Sequence, residues 1–248
     1  MESTNPQSGM KCSRHWLFKQ YGLRSLFIVV LFLALPCAWL ASYVSEYHTE
    51  VATVSKFDSL HIKFYWKSIG PKWLGNWSAR QRAYEVVALF DTRREEFDDK
   101  VLQALGQLHY VESLWLDGTN ITDEGLVALS QFGNLRDLDL SQTRISDRGL
   151  EHLLPLHQLE ILYITFTAPE FGGPEIGVTD AGICRLAQLP NLRSLSLIGT
   201  NVSDKPARAL VQFEKLQYVD LRETNVSEEA AEGLRKLRPK LSVGSGPL

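Results

Sequence analysis

The chain has 248 residues, of which 44% are apolar, so there is room for one folded domain with appended segments. Its formal net charge of −3, without a stripe of lysine and arginine, argues against a nucleic-acid-binding surface. The three cysteines Cys12, Cys37 and Cys184 are too scattered to form a disulfide framework.

An uncharged apolar segment follows a basic N-terminal tail at residues 1–25. The 19 residues 26–44 carry no charge, and as a helix with a rise of about 1.5 Å per residue they would extend roughly 28 Å, close to the thickness of a hydrocarbon core. We therefore expect one transmembrane helix over 26–45. A cleaved signal peptide is the alternative, but the pair of small residues that cleavage requires is missing, which favours an uncleaved anchor.

The charges that flank this segment predict its orientation. Basic residues precede it, whereas Glu46 and Glu50 follow it directly. Basic flanks tend to stay in the cytoplasm. We therefore expect a single-pass membrane protein with a cytoplasmic tail at 1–25 and an extracytoplasmic remainder. The basic residues are Lys11, Arg14, Lys19 and Arg24.

Residues 46–85 are expected to contain a juxtamembrane linker and an N-terminal cap. The eight residues from Leu60 to Lys67 alternate between apolar and polar, which is the period of a half-buried strand. Because the open end of a repeat array would expose its core, we expect nearby apolar side chains to cover it. Those side chains are Trp73, Leu74 and Trp77.

A repeat of 24 residues occupies most of the remaining chain, from 86 to 241. Each unit follows L-x-x-L-x-L-x-x-T-x-[I/V]-[S/T]-[D/E], and the steps between five successive units are 24, 24, 33 and 24 residues. The units begin at Val111, Leu135, Leu159, Leu192 and Leu216. A degenerate unit precedes them, with a strand expected near Val86 to Phe90 and apolar positions at Phe97, Leu102, Leu105 and Leu108. A fixed period in this range is typical of a solenoid.

The residue pattern within one unit resembles the leucine-rich repeat. The positions that carry the resemblance are Leu135, Leu138, Leu140, Thr143, Ile145 and Leu150. The turn position has threonine instead of asparagine or cysteine, and a threonine hydroxyl can also bond to turn backbone. The whole chain resembles N-terminally membrane-anchored leucine-rich repeat proteins of planctomycete-type bacteria. This implies an α/β solenoid with parallel strands on the concave face, helices on the outer face and a membrane-tethered interaction role.

The third unit contains an insertion at about 168–177. Its sequence, A-P-E-F-G-G-P-E-I-G, is too rich in proline and glycine for a helix or strand interior. One interpretation is a loop that overhangs the solenoid and offers Phe171 as a contact residue. The alternative is a tolerated surface insertion without a binding role.

The sequence shows no recognisable catalytic, cofactor or metal motif. It lacks a phosphate-binding glycine loop, a zinc ligand set and a Ser/His/Asp arrangement, so we expect neither an enzyme nor a cofactor. The recurring aspartates are expected to cap helices rather than bind calcium. These aspartates are Asp123, Asp147, Asp180 and Asp204. Cys184 falls in a mostly polar repeat column and is expected to be partly exposed.

Two columns of side chains are expected on the concave face, because alternate strand residues point away from the core. One column holds Trp115, Asp139, Tyr163, Ser196 and Asp220, and the other holds Asp117, Ser141, Thr165, Ile198 and Arg222. Aromatic side chains flanked by aspartate and arginine are typical of an interface centre. The partner-binding candidates are Trp115, Asp117, Asp139, Tyr163, Asp220 and Arg222. The alternative for Trp115 and Tyr163 is that they cover backbone or contact the insertion.

The sequence as a whole favours a membrane-anchored module that binds a protein or an envelope polymer on its concave face. We expect no catalysis, no small-molecule substrate and no nucleic-acid partner. The alternative is a structural or self-assembling component of the cell envelope, which oligomeric state would distinguish. Residues 242–248 are expected to be a tail.

Overall fold

The structure is a computed structural model that describes residues 97–108, 110–166, 177–205 and 207–247, the strands at 62–69 and 80–88, and single helical positions between 30 and 55. The chain divides into two units, Met1–Glu46 and Tyr47–Leu248. Among the described residues, no helix is both long enough and apolar enough to cross a membrane. The predicted transmembrane segment at 26–45 lies largely outside the described residues, and the basic tail at 1–25 lies entirely outside them.

Within the second unit, eight strands form one sheet in chain order. They are β1 (Ile62–Ile69), β2 (Arg80–Ala88), β3 (Ser113–Trp115), β4 (Asp137–Asp139), β5 (Ile161–Tyr163), β6 (Ser194–Ser196), β7 (Tyr218–Asp220) and β8 (Ser242–Gly244). The pair β1 and β2 is antiparallel with an irregularity between Tyr65 and Trp66, and every later pair is parallel. Parallel strands follow because each unit crosses back through a turn and a helix before the next strand begins.

The repeat period sets the register of the sheet. Ser113 pairs with Asp137, which pairs with Ile161, so that equivalent positions of successive units lie side by side. The central residue of each repeat strand faces the core and its two neighbours face the other way. The central residues are Leu114, Leu138, Leu162, Leu195 and Val219, all fully buried. The predicted solenoid with parallel strands is therefore confirmed.

Helical segments pack behind the sheet. The α-helices are Asp99–Leu105, Asp123–Leu126, Asp180–Leu186, Ala207–Leu210 and Glu228–Leu237, and the 3-10 helices are Val127–Gln131 and Gly149–Leu153. In the 3-10 helix Gly149–Leu153, Leu150 and Leu153 are fully buried, and Leu156 just beyond the helix is buried as well. One continuous apolar core joins these helices to the sheet, with Phe132 and Phe213 as its largest fully buried side chains.

In four of the described repeat turns, a threonine closes the turn through its hydroxyl. Thr119 Oγ1 donates to the Leu116 carbonyl at 2.7 Å, and Thr200 Oγ1 donates to the Leu197 carbonyl at 2.6 Å. Thr143 and Thr224 make the equivalent bond. This bond explains how threonine replaces the expected asparagine or cysteine at the turn position.

The recurring aspartates do not act as the sequence predicts. Each accepts hydrogen bonds from the backbone N–H and the side-chain hydroxyl of a serine or threonine in the following unit, so they join repeats instead of capping their own helices. For example, Asp123 accepts from Ser146, and Asp99 accepts from Thr122 at 2.9 and 2.7 Å. The other pairs are Asp147 with Thr179, Asp180 with Ser203 and Asp204 with Ser227.

Two further predictions need correction. Residues 242–248 are not merely a tail, because they begin with β8, which pairs with β7. The degenerate unit has its strand at Arg80–Ala88, earlier than 86–90, and Val86 aligns with Leu114 across 28 residues instead of 24. Its apolar positions are as expected, since Phe97, Leu102, Leu105 and Leu108 are all buried.

Candidate functional site on the concave sheet

The concave column predicted from the sequence is present in the sheet. Trp115, Asp139, Tyr163, Ser196 and Asp220 pair in this order across β3 to β7. Their exposure differs from the expectation, however. Trp115, Asp139 and Tyr163 are partly exposed, whereas only 4% of Ser196 and 2% of Asp220 is accessible. The accessible part of the column therefore lies on β3, β4 and β5.

The Trp115 and Tyr163 rings pack against each other. Their centroids are 5.9 Å apart and their planes are inclined by 27°, which is a stacked arrangement. Because β4 lies between β3 and β5, the two rings meet beside Asp139. Trp115 Nε1 is buried and has no hydrogen-bond partner among the described residues. The two side chains thus hold each other in place and form one aromatic surface.

Asp139 is a half-buried carboxylate beside this aromatic pair. Burial raises its pKa, although hydrogen bonds from Ser141 partly oppose the rise. The Ser141 N–H donates to Asp139 Oδ1 at 2.9 Å. Among the described residues, no cationic side chain forms an ion pair with Asp139. The pKa of Tyr163 is also raised, first by burial and then by the negative charges of Asp139 and Asp137.

At the other end of the column, the Asp220 carboxylate accepts hydrogen bonds from its neighbours. Arg222 donates through Nε to Oδ1 at 2.9 Å and through Nη2 to Oδ2 at 2.7 Å, and the Tyr218 hydroxyl donates to Oδ2 at 2.8 Å. Burial alone would raise the pKa of Asp220, but the hydrogen bonds from Arg222 and Tyr218 outweigh it and lower the pKa. Asp220 therefore positions Arg222 and Tyr218 and is not itself an accessible contact.

A cavity of about 530 Å³ opens between these features. Its lining residues are Asp117, Asp139, Ser141, Gln142, Tyr163, Thr165, Phe166, Ser196, Ile198, Tyr218, Asp220 and Arg222. The sequence candidates Asp117, Asp139, Tyr163, Asp220 and Arg222 all lie on this lining, whereas Trp115 does not. Phe171, the insertion-loop candidate, lies outside the described residues.

Three lining residues, Gln142, Phe166 and Tyr218, lie outside both of the predicted columns. Phe166 has a φ of 52°, in the left-handed region that a bulky residue rarely adopts. A side chain at Gly199, which also has a positive φ, would clash with the Phe166 ring, so this ring lies on the turn of the next unit. Tyr218 lies two residues before Asp220 on the same face. The strand alternation already contained this signal, because Tyr218, Asp220 and Arg222 are separated by steps of two.

The leucine-rich repeat family model matches residues 107–130 and 134–154. Among solved structures, the chain is similar to a leucine-rich repeat protein of Leptospira interrogans, with 25% identity, a TM-score of 0.41, and coverage of 57% of this chain and 33% of that one. It therefore spans about a third of the length of the Leptospira protein. It is also similar to internalin C2 of Listeria monocytogenes, with 22% identity, a TM-score of 0.37, and coverage of 66% and 80%. No curated protein matches the chain.

The matched units and the parallel register of their strands show that the chain contains leucine-rich repeats. Proteins with such repeats generally mediate protein–protein interaction, and stacked repeats present extended concave surfaces for it.

Proposed function

We propose that this protein is a membrane-anchored leucine-rich repeat module that binds a protein partner on its concave face, without catalysis. The anchor in this proposal is the uncharged segment at 26–45, with the repeats on the extracytoplasmic side. The sequence supports it through the length of the apolar run and the basic residues before it.

One observation carries the binding proposal, the stacked pair of Trp115 and Tyr163 at the edge of the concave cavity. Partly exposed aromatic side chains on a sheet lose little conformational freedom on binding when they are already fixed by each other. Tryptophan and tyrosine are also the residues most often found at energetic centres of protein interfaces. These properties favour a partner that docks across β3 to β5.

The test is capture of an envelope partner by the full chain in detergent. A protein carrying Trp115→Ala and Tyr163→Ala should retain its fold by circular dichroism, yet lose at least about 2 kcal/mol of binding free energy, roughly a 30-fold loss of affinity. Glu151→Ala, on the exposed helical side, is the matched control and should bind like the unchanged protein. Undiminished capture by the folded double variant would show that the partner docks elsewhere.

A further inference from the structure

The cavity beside Tyr163 has an unequal charge balance. Its lining carries three carboxylates, Asp117, Asp139 and Asp220, and one guanidinium, that of Arg222. Arg222 is already committed, because Nε and Nη2 both donate to the Asp220 carboxylate. The cavity therefore presents the negative charge of Asp139, a half-buried carboxylate that forms no ion pair with a cationic side chain among the described residues.

The aromatic walls suit the same kind of ligand. Tyr163, Phe166 and Tyr218 line the cavity, and the last two are 41% and 38% exposed. Aromatic faces attract an ammonium or guanidinium group. The volume of about 530 Å³ exceeds what one side chain needs, so it has room for a side chain with adjoining backbone.

Resting on the proposed function of the concave face, we propose that this cavity takes an arginine or lysine side chain carried on a basic peptide segment of the partner. An ammonium or guanidinium near Asp139 would relieve the cost of burying that carboxylate without a counter-charge. An acidic segment would place like charges together, and a neutral glycan would leave the charge of Asp139 unmatched. Charge complementarity therefore selects the basic peptide.

The experiment measures binding of fluorescent hexaarginine, hexalysine and hexaglutamate peptides, and of a neutral chito-oligosaccharide, to the full chain in non-ionic detergent. The arginine and lysine peptides should bind, more weakly at high salt, and hexaglutamate should not. Asp139→Asn should weaken their binding by about tenfold or more, as expected when a charge-assisted contact is lost. Glu151→Gln removes the same charge from the outer side and should change affinity by less than about twofold.

A second pair of variants separates the aromatic contribution from the charge. Tyr163→Phe keeps the ring that packs on Trp115 and should bind hexaarginine within about twofold of the unchanged protein, whereas Tyr163→Leu should bind several-fold more weakly. Equal effects of Asp139→Asn and Glu151→Gln would overturn the proposal. So would chito-oligosaccharide binding that exceeds peptide binding and is insensitive to Asp139→Asn.

The same variants distinguish this proposal from the broader one. In one outcome, the Trp115 and Tyr163 double variant loses its envelope partner, Asp139→Asn retains it, and basic peptides bind no better than hexaglutamate. The proposed concave interface would then stand, and the proposed cationic ligand would be wrong. If the double variant also keeps its partner, the concave interface fails as well.

Discussion

At neutral pH the half-buried charge of Asp139 lowers the free energy of unfolding. Burial raises the pKa of this carboxyl, and no described cationic side chain pairs with it. A carboxyl with a raised pKa binds its proton more tightly in the folded chain than in the unfolded one. The free-energy penalty of burying the charged Asp139 is therefore present above its raised pKa, and it disappears as the pH falls through that pKa.

Asp139→Asn should consequently raise the thermal midpoint at pH 7, because the amide oxygen can still accept from the Ser141 N–H and carries no charge. The advantage over the unchanged protein should shrink as the pH falls through the raised pKa of Asp139. Thermal unfolding followed by circular dichroism at several pH values measures this, with Glu151→Gln as the exposed control. A lower midpoint for Asp139→Asn at pH 7 would mean that the Ser141 hydrogen bond outweighs burial.

Leu140 tests, with one side chain, how much the stacked apolar core of the repeats contributes to stability. It is fully buried in the middle of the stack, so Leu140→Ala should cost about 2 to 5 kcal/mol as a cavity. Glu151 is exposed and its contact with Arg185 is a surface ion pair, so Glu151→Ala should change stability by no more than roughly 0.5 kcal/mol. Denaturant unfolding compares the two variants, and similar midpoints would contradict the repeat register.

At the scale of the elements, the aspartate bonds between units should contribute according to their burial. Asp123→Ala leaves the half-buried Ser146 N–H without its acceptor and should cost about 1 to 3 kcal/mol. Asp204→Ala is the control, because Ser227 is exposed and water can replace the carboxylate. Chemical denaturation of both variants measures the difference. Equal losses would show that burial does not determine how much each of these bonds contributes.

The sequence predicts the sheet better than it predicts the contacts between units. A strand alternates with a period of two, so the position of Leu138 alone determines that Asp137 and Asp139 face away from the core. The aspartate bonds were missed because a carboxylate beside a helix start has two possible acceptor roles, and the chosen donor lies 23 residues away. The strand β8 was missed because its repeat unit has Lys240 and Ser245 at two of the three apolar positions, and only Val243 keeps the pattern.

In the candidate site, too, the sequence predicts the positions on the sheet but not the contacts between side chains. Its column on β3 to β7 follows from the repeat period, whereas the exposure of each member does not. Asp220 is covered because Tyr218 and Arg222 fold over it, and Trp115 and Tyr163 stack because β4 carries a short aspartate between them. These outcomes depend on side-chain conformations across neighbouring units, and a pattern of residue types does not specify those conformations.

At the scale of the whole molecule, the proposed function requires the repeats to lie on the opposite side of the membrane from the basic tail. The expectation rests on Lys11, Arg14, Lys19 and Arg24 before the apolar segment and on the acidic residues after it. Protease added to intact spheroplasts that contain the full chain should therefore digest the repeat domain, as seen by immunoblotting with an antibody against it. A cytoplasmic marker protein must stay intact in the same sample.

A variant with these four basic residues replaced by glutamine provides the matched comparison. Because basic flanks tend to stay in the cytoplasm, removing these four charges should leave part of the population in the reversed orientation and hence protected. Full protection of the unchanged protein, with digestion only after the spheroplasts are lysed, would place the repeats in the cytoplasm and contradict the proposed orientation. Equal digestion of the two proteins would show instead that the flanking charges do not determine the orientation.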